Sequence, residues 1–132
     1  MKLKESYLFM CSDETYHKAY NEKDVDSYML SMVVPFGMVD LWAEKTERTI
    51  EKIEKDLWDN GLKRNANSDK TCFISTAWLA WAHKKSGNIK KYRIIMDLIN
   101  ENFTPTGIPS SPNAKNDVSL WPNAMYVIAR MD

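Results

Sequence analysis

Residues 73–112 constrain the fold most, because they contain two helical patterns that are joined by a tight corner and followed by an irregular loop. From Phe73 onward, apolar residues recur three and four positions apart, which is the spacing of one helix face. These residues are Ile74, Ala77, Trp78, Trp81 and Ala82. Leu79 and Ala80 widen the face further round the helix. We therefore expect this helix to be buried on more than one side.

The corner and the second helix of this stretch also have clear signals. Gly87 can adopt the left-handed conformation that ends helices, and Asn88 can cap the helix that follows. The apolar stripe of this second helix is Tyr92, Ile95, Met96, Ile99 and Phe103. The next loop, residues 104–113, contains three prolines and one glycine, which interrupt helices and favour turns. The stretch predicts a helical hairpin followed by a loop suited to a functional site.

Three further helices are predicted from the same kind of spacing. The first is capped by Asp24 or Asp26, ends at Pro35 and Gly37, and has the stripe Val25, Tyr28, Met29, Met32 and Val33. The second covers residues 42–58, with the stripe Thr46, Ile50, Ile53 and Leu57. The third covers residues 119–131, with Pro122 in its first turn.

The pattern as a whole predicts one all-α domain, residues 1–132. A weaker helical pattern lies within residues 3–20. No pair of strand patterns is joined by a hairpin turn, so no sheet is expected.

The composition argues against several classes of function. Net charge is zero and no long run of like charges occurs, so we expect no nucleic-acid binding. The apolar stretch of residues 29–34 is far too short to cross a membrane, and the N-terminus lacks a signal-peptide pattern. Cys11 and Cys72 have no disulfide-framework spacing, and with His17 and His83 they show no metal-ligand spacing. We expect a soluble, cytoplasmic protein without a metal or other cofactor.

A set of short segments, taken in chain order, carries a family resemblance. The clearest are Phe73-Ile-Ser-Thr-Ala-Trp-Leu-Ala80 and Thr106-Gly-Ile-Pro109; the others are residues 24–30, 35–37, 47–57, 61–64, 87–91, 118–121 and 123–124. The set resembles the C-terminal part of the catalytic domain of glycoside hydrolase family 15, the glucoamylase-like enzymes. It covers residues 24–128, most of the chain. The resemblance implies antiparallel helical hairpins that form part of an (α/α)6 barrel, here an incomplete toroid, and hydrolysis of α-glucosidic bonds with inversion.

Inverting hydrolysis needs two carboxyl groups, one protonated to donate to the leaving oxygen and one ionised to activate a water. The resemblance places the general acid upstream of the matching region, outside this chain. It places the general base, a glutamate, directly after the Gly-Ile-Pro turn, where this sequence has Ser110. A serine hydroxyl cannot act as that base without a partner of its own. Asp117 is the nearest loop carboxylate, so we assign no catalytic residue.

Two residues match positions that contact substrate in the family. Arg64 matches an arginine that hydrogen-bonds sugar hydroxyls in the first subsite, and Trp121 matches an aromatic residue that lines the same pocket. An α-glucan is therefore the ligand that the resemblance implies. The sequence also departs from the family pattern, with Asn65 in place of an aromatic residue and Cys72 in place of a tryptophan. The alternative is that Arg64 is a solvated loop cation and Trp121 a core residue.

Three functions are compatible with these observations. The chain is a truncated, inactive glucoamylase-related domain, or one half of a split α-glucan hydrolase, or a helical protein-interaction module. The apolar faces of residues 73–82, with Trp78 and Trp81, and of residues 25–33 exceed what one hairpin can cover. Large exposed apolar faces mark association sites, so we expect a homodimer or a second chain that supplies the missing half of the barrel.

Overall fold

The structure, a computed structural model, describes residues 14–17, 24–112, 114 and 116–132. A 3-10 helix, Ser27–Met32, is followed by four α-helices: α1 (Glu44–Leu57), α2 (Phe73–Lys85), α3 (Ile89–Glu101) and α4 (Leu120–Met131). Within these residues the loops contain only isolated β-bridges and no strand. The prediction of an all-α fold is confirmed. The weak helical pattern within residues 3–20 lies largely outside the described residues.

Helix α2 is the centre of the fold. Phe73 and every residue from Ser75 to His83 are buried, so the helix has almost no solvent-facing side. It packs against α3, α4 and the 3-10 helix. This burial on all sides confirms the expectation from the wide apolar face, and it means that α2 can be stable only when its neighbours surround it.

The neighbouring helices each bury one face, as amphipathic helices do. The buried residues fall three and four positions apart: Thr46, Thr49, Ile50, Ile53 and Leu57 in α1; Ile95, Met96 and Ile99 in α3; Pro122, Met125, Tyr126 and Ala129 in α4. The predicted stripe of α1 is confirmed, and that of α3 is confirmed at Ile95, Met96 and Ile99, whereas Tyr92 is only half-buried. Phe103 lies beyond α3, is exposed, and packs edge-to-face on Tyr126, with 5.2 Å between ring centroids.

The helix ends agree with the sequence at Gly87, Asn88 and Asp26, although the helix that Asp26 caps differs in type. Asn88 caps α3 by accepting a hydrogen bond from Lys91 N through Oδ1, and Gly87 adopts a left-handed φ of 82°. Asp26 does begin a helix, but the helix is of the 3-10 type and only six residues long. A segment this short, closed by Val34 and Pro35, has too few turns for cooperative α-helix formation.

The two apolar faces that were expected to need a partner are covered within one chain. Trp78 and Trp81 are buried, as are Val25, Leu30 and Val33 from the 3-10 helix region. All five residues belong to one hydrophobic cluster that also includes residues of α1, α3 and α4. The argument for a partner on these faces was therefore wrong, because the 3-10 helix packs against α2 itself.

None of the described helices has the length and apolar character needed to cross a lipid bilayer.

Glu54 joins three helices through charged hydrogen bonds. Its carboxylate in α1 lies 2.9 Å from His83 Nε2 in α2 and accepts a hydrogen bond of 2.8 Å from Lys91 Nζ in α3. Burial raises the pKa of Glu54, but the hydrogen bonds to His83 and Lys91 outweigh this effect and hold the pKa below its usual value of 4.5. Ionised Glu54 therefore stabilises the packing of α1 against the hairpin of α2 and α3.

This arrangement predicts a pH-dependent loss of stability for Glu54→Gln. A carboxyl group whose pKa is lowered in the folded state stabilises that state at pH values above the unfolded-state pKa. This contribution is lost progressively as the pH falls through the folded-state pKa. At pH 7 we expect the substitution to reduce the free energy of unfolding by about 1–2 kcal/mol. At pH 3.5 the difference should shrink towards zero, as measured by urea unfolding followed by circular dichroism. Glu47→Gln, an exposed position in the same helix, is the matched control, and an equal loss for Glu54→Gln at both pH values would contradict the prediction.

Candidate functional site

The two loops that carry Arg64 and Ser110 meet at the N-terminal end of α2. Phe73 N, at the first residue of α2, donates a hydrogen bond of 3.1 Å to Ser110 O in the proline-rich loop. Cys72, directly before it, places its Sγ 3.6 Å from the Tyr28 hydroxyl. The loop that carries Arg64 reaches the same end, because Cys72 N donates to Leu62 O at 2.7 Å. The start of α2 thus positions both the Arg64 loop and the Ser110 loop.

Arg64 is held in one orientation by two side chains from the start of the 3-10 helix. Its Nε donates to Asp26 Oδ2 over 3.3 Å, and its guanidinium lies 4.0 Å from the centroid of the Tyr28 ring. Its other guanidinium nitrogens make no hydrogen bond to the described residues, and 54% of the side chain is exposed. A cation stacked on an aromatic ring and paired with a carboxylate is more ordered than a solvated loop cation. Arg64 therefore presents fixed donors to solvent.

Asp26 and Tyr28 act together as the support for Arg64. Asp26 is buried, and its Oδ1 also accepts a hydrogen bond from Tyr28 N at 2.9 Å. The backbone adds a third link, since Ser27 N donates to Arg64 O at 2.8 Å. The sequence predicted Asp26 only as a helix cap, and its contact with Arg64, 38 positions away, had no sequence signal of its own.

Tyr28 remains a neutral phenol in this site. Burial, the hydrogen bond and electrostatic interaction with Cys72, and the nearby Asp26 all raise its pKa, the positive charge of Arg64 lowers it, and the net effect is a pKa of about 12. Its ring packs edge-to-face on Trp78 of α2, with 5.5 Å between centroids. Tyr28 is thus fixed between the core and Arg64. At physiological pH its ring is neutral, and the guanidinium stacks on its face.

Ser110, at the position where the family resemblance expects the general base, is paired with a carboxylate. Ser110 Oγ donates to Asp117 Oδ2 over 2.7 Å, and Ser110 N donates to Asp117 O over 2.8 Å. Asp117 is seven positions away in the sequence, so the loop folds back to bring the two residues together. The loop therefore does hold a carboxylate next to Ser110. It belongs to Asp117, seven positions later, and not to the residue that directly follows the Gly-Ile-Pro turn.

Asn123 fastens this loop to α4. Its Oδ1 accepts from Ile108 N at 2.9 Å, and its Nδ2 donates to Ile108 O at 3.0 Å and to Ser119 O at 2.8 Å. Gly107 makes the close approach possible, because a Cβ at that position would lie 2.7 Å from Asn123 Oδ1. Gly107 also has a φ of 126°, which side-chain-bearing residues rarely adopt. The Gly-Ile-Pro turn is therefore rigidly placed against the start of α4.

Trp121 lies in the first turn of α4 and is 63% exposed, so it is not a core residue. The chain leads to it from Val118, which forms a β-bridge with Pro109. Among the described residues, no hydrogen bond or ring contact joins Trp121 to Arg64. The structure thus brings Arg64 and Ser110 to one helix end and leaves Trp121 on the surface beside the Ser110 loop.

The described residues include no cluster of three or more His, Cys, Asp or Glu side chains arranged to hold a metal ion.

The comparisons with known proteins agree with this fold. No family model matches the chain, and no curated protein matches it significantly. Several solved structures of a glycosidase do match. The wild-type glycosidase has a TM-score of 0.83, and a tyrosine-to-phenylalanine variant has a TM-score of 0.84. A glutamate-to-alanine variant in complex with glucose has a TM-score of 0.82.

The match covers very different shares of the two chains. In all three comparisons sequence identity is 20%, and the match covers 97% of this chain but only 41% of the glycosidase chain. The chain has the fold of part of a glycosidase. This confirms the expectation of a partial helical barrel, since nearly all of a short helical chain superposes on less than half of a longer one.

The site geometry predicts that Asp26 and Arg64 are energetically coupled. Asp26→Asn keeps an oxygen for Tyr28 N but removes the charge that faces Arg64, and we expect it to lower the free energy of unfolding by about 1–2 kcal/mol. In an Arg64→Ala background the same substitution should have a clearly smaller effect. Chemical denaturation of the four proteins of this cycle measures the coupling. Asp24→Asn, an exposed neighbour, serves as the control, and equal effects of Asp26→Asn in both backgrounds would show that the two side chains act independently.

Proposed function

We propose that this chain, residues 1–132, is a glycosidase-related domain corresponding to the C-terminal segment of a glucoamylase-like (α/α)6 barrel of glycoside hydrolase family 15. In this proposal it binds an α-glucan and does not hydrolyse it alone. The observation that carries the proposal is the glycosidase fold combined with Ser110 at the turn where the resemblance expects the catalytic glutamate. The absence of disulfide-framework spacing supports a cytoplasmic location as part of the same proposal.

The arrangement of Arg64 supports sugar binding. Asp26 and Tyr28 fix the guanidinium so that its remaining nitrogens face solvent, and a rigid, exposed donor group suits the recognition of sugar hydroxyls. Trp121 adds an exposed aromatic surface beside the Ser110 loop. One of the matched glycosidase structures contains glucose, which makes a glucose-containing ligand the natural first choice.

The chemistry of the loop supports inactivity of the isolated chain. Inversion requires an acid and a base held on opposite sides of the scissile bond at a separation that admits one water. The resemblance places the acid outside this chain, and Ser110 cannot replace the glutamate as a base of comparable strength. One carboxylate, Asp117, does not provide both groups.

The contact between Asp117 and Ser110 favours a second candidate function. If another chain supplied the first half of the barrel and its general acid, Asp117 would be the carboxylate available near the position of the base. The chain would then be one half of a split α-glucan hydrolase. A third candidate, a helical protein-interaction module, needs no sugar at all and is separated from the other two by the binding experiment below.

The first test of the proposal is an activity measurement. We expect purified protein to release no glucose from maltose, dextrins or trehalose above the buffer blank, because the two required carboxyl groups are not both present. Asp117→Asn and Ser110→Ala should give the same blank value. Turnover by the wild type that disappears in Asp117→Asn would overturn the proposal of an inactive domain and would favour a base displaced to Asp117.

The second test measures sugar binding at Arg64 and Trp121. Titration with maltose or a short dextrin should change the tryptophan fluorescence of the wild type, and Trp121→Phe should remove this change while Trp58→Phe retains it. Arg64→Ala removes hydrogen bonds from a charged donor, so we expect the affinity to fall about tenfold or more. Lys70→Ala, an exposed cation in the same loop, is the control. A wild-type protein whose fluorescence and heat of mixing do not respond to sugar would exclude the binding role and leave the interaction module.

A further inference from the structure

Helix α4 has apolar residues on two opposite sides, and only one of them is buried. Met125, Tyr126 and Ala129 lie in the core, whereas five other large apolar residues keep between 37% and 81% of their surface exposed. We call these five residues the outer face of α4: Leu120, Trp121, Val127, Ile128 and Met131. This face is distinct from the two faces on which the sequence argument for a dimer rested.

The outer face is continuous along the helix. With about 100° of rotation per residue, its members fall within roughly one third of the circumference, opposite Ala129 and Pro122. Half-buried Ala124 lies in the middle of this arc and contains no polar side-chain atom. The polar residues Asn123 and Arg130 lie together at one border of it. The face is therefore an uninterrupted apolar surface that extends over all three turns of α4.

Its size suits a protein interface. A fully exposed tryptophan side chain presents on the order of 200 Å² of apolar surface, so five large side chains at these exposures present on the order of 500 Å² together. A standard interface buries about 800 Å² on each partner, of which roughly 60% is apolar, or again about 500 Å². The outer face alone thus matches the apolar share of one partner in such an interface.

We propose that the outer face of α4 binds the same face of a second copy of this chain, and that the two α4 helices pack antiparallel across a twofold axis. A twofold interface places one patch against itself, which suits a face without any charged residue. Antiparallel packing sets the opposite ends of the two helix dipoles side by side, which parallel packing does not. It also brings Arg130, near the C-terminal end of one α4, towards Asp117, just before the N-terminal end of the other. The proposal does not require carbohydrate binding, although the dimer would cover Trp121 and so compete with a sugar for this side chain.

The oligomeric state in solution is the first test. At low micromolar concentration, light scattering coupled to size-exclusion chromatography should give twice the 15.4 kDa mass of one chain. Val127→Glu places a charge in the centre of the outer face and should give a monomer with an unchanged circular dichroism spectrum. Ile94→Glu, an exposed apolar position on α3, is the matched control and should remain dimeric. A monomeric wild type, or a dimer that survives Val127→Glu, overturns the proposal.

Cysteine cross-linking tests the antiparallel arrangement. In a background with Cys11 and Cys72 replaced by alanine, Leu120→Cys and Met131→Cys place thiols at opposite ends of α4, about 16 Å apart along the axis. Antiparallel packing brings residue 120 of one copy next to residue 131 of the other. A mixture of the two variants should therefore form disulfide-linked dimers under mild oxidation, and neither variant alone should do so. Efficient cross-linking of Leu120→Cys alone would mean parallel packing and would overturn the proposed geometry.

Discussion

Helix α2 is buried on all sides, and the packing of the other helices follows from this. A helix with no polar side is stable in water only when other elements cover its full circumference. Here the 3-10 helix, α3 and α4 pack on it directly, and α1 is joined to its C-terminal part through Glu54 and His83. Helices α1 and α3 are amphipathic and leave a polar face to solvent, whereas α4 buries one apolar face and exposes another.

The same helix also organises the candidate site. The first residues of α2 receive the loop before it and the proline-rich loop after α3, so chain segments far apart in sequence meet at one helix end. Arg64 gains its fixed orientation from Asp26 and Tyr28, and Tyr28 in turn rests on Trp78 in the core. In the proposed function this framework orients the donors of Arg64, and the pair of Ser110 and Asp117 stands where inverting hydrolysis would require a glutamate.

Helix α4 carries an apolar face that the packing of the described residues leaves exposed. The proposed dimer would cover this face without completing a barrel. The position of Trp121 on the same face means that assembly and sugar binding would compete for one side chain.

The helices and the central place of α2 could be predicted from the sequence, because the spacing of apolar residues reports directly which faces must leave water. It also determined local signals such as Asn88 as a cap and Gly87 as a helix stop, since these depend on neighbours within a few residues. Three contacts become visible only in the folded chain: the 3-10 helix covers α2, Asp26 holds Arg64, and Asp117 lies against Ser110. The first two join residues distant in the chain, and the third depends on how a loop folds back over seven positions. A hydrophobic pattern shows that a side chain needs cover but not which element supplies it. For the same reason the sequence predicted uncovered apolar faces on α2 and the 3-10 helix, which the structure buries, and gave no warning of the apolar face that α4 exposes.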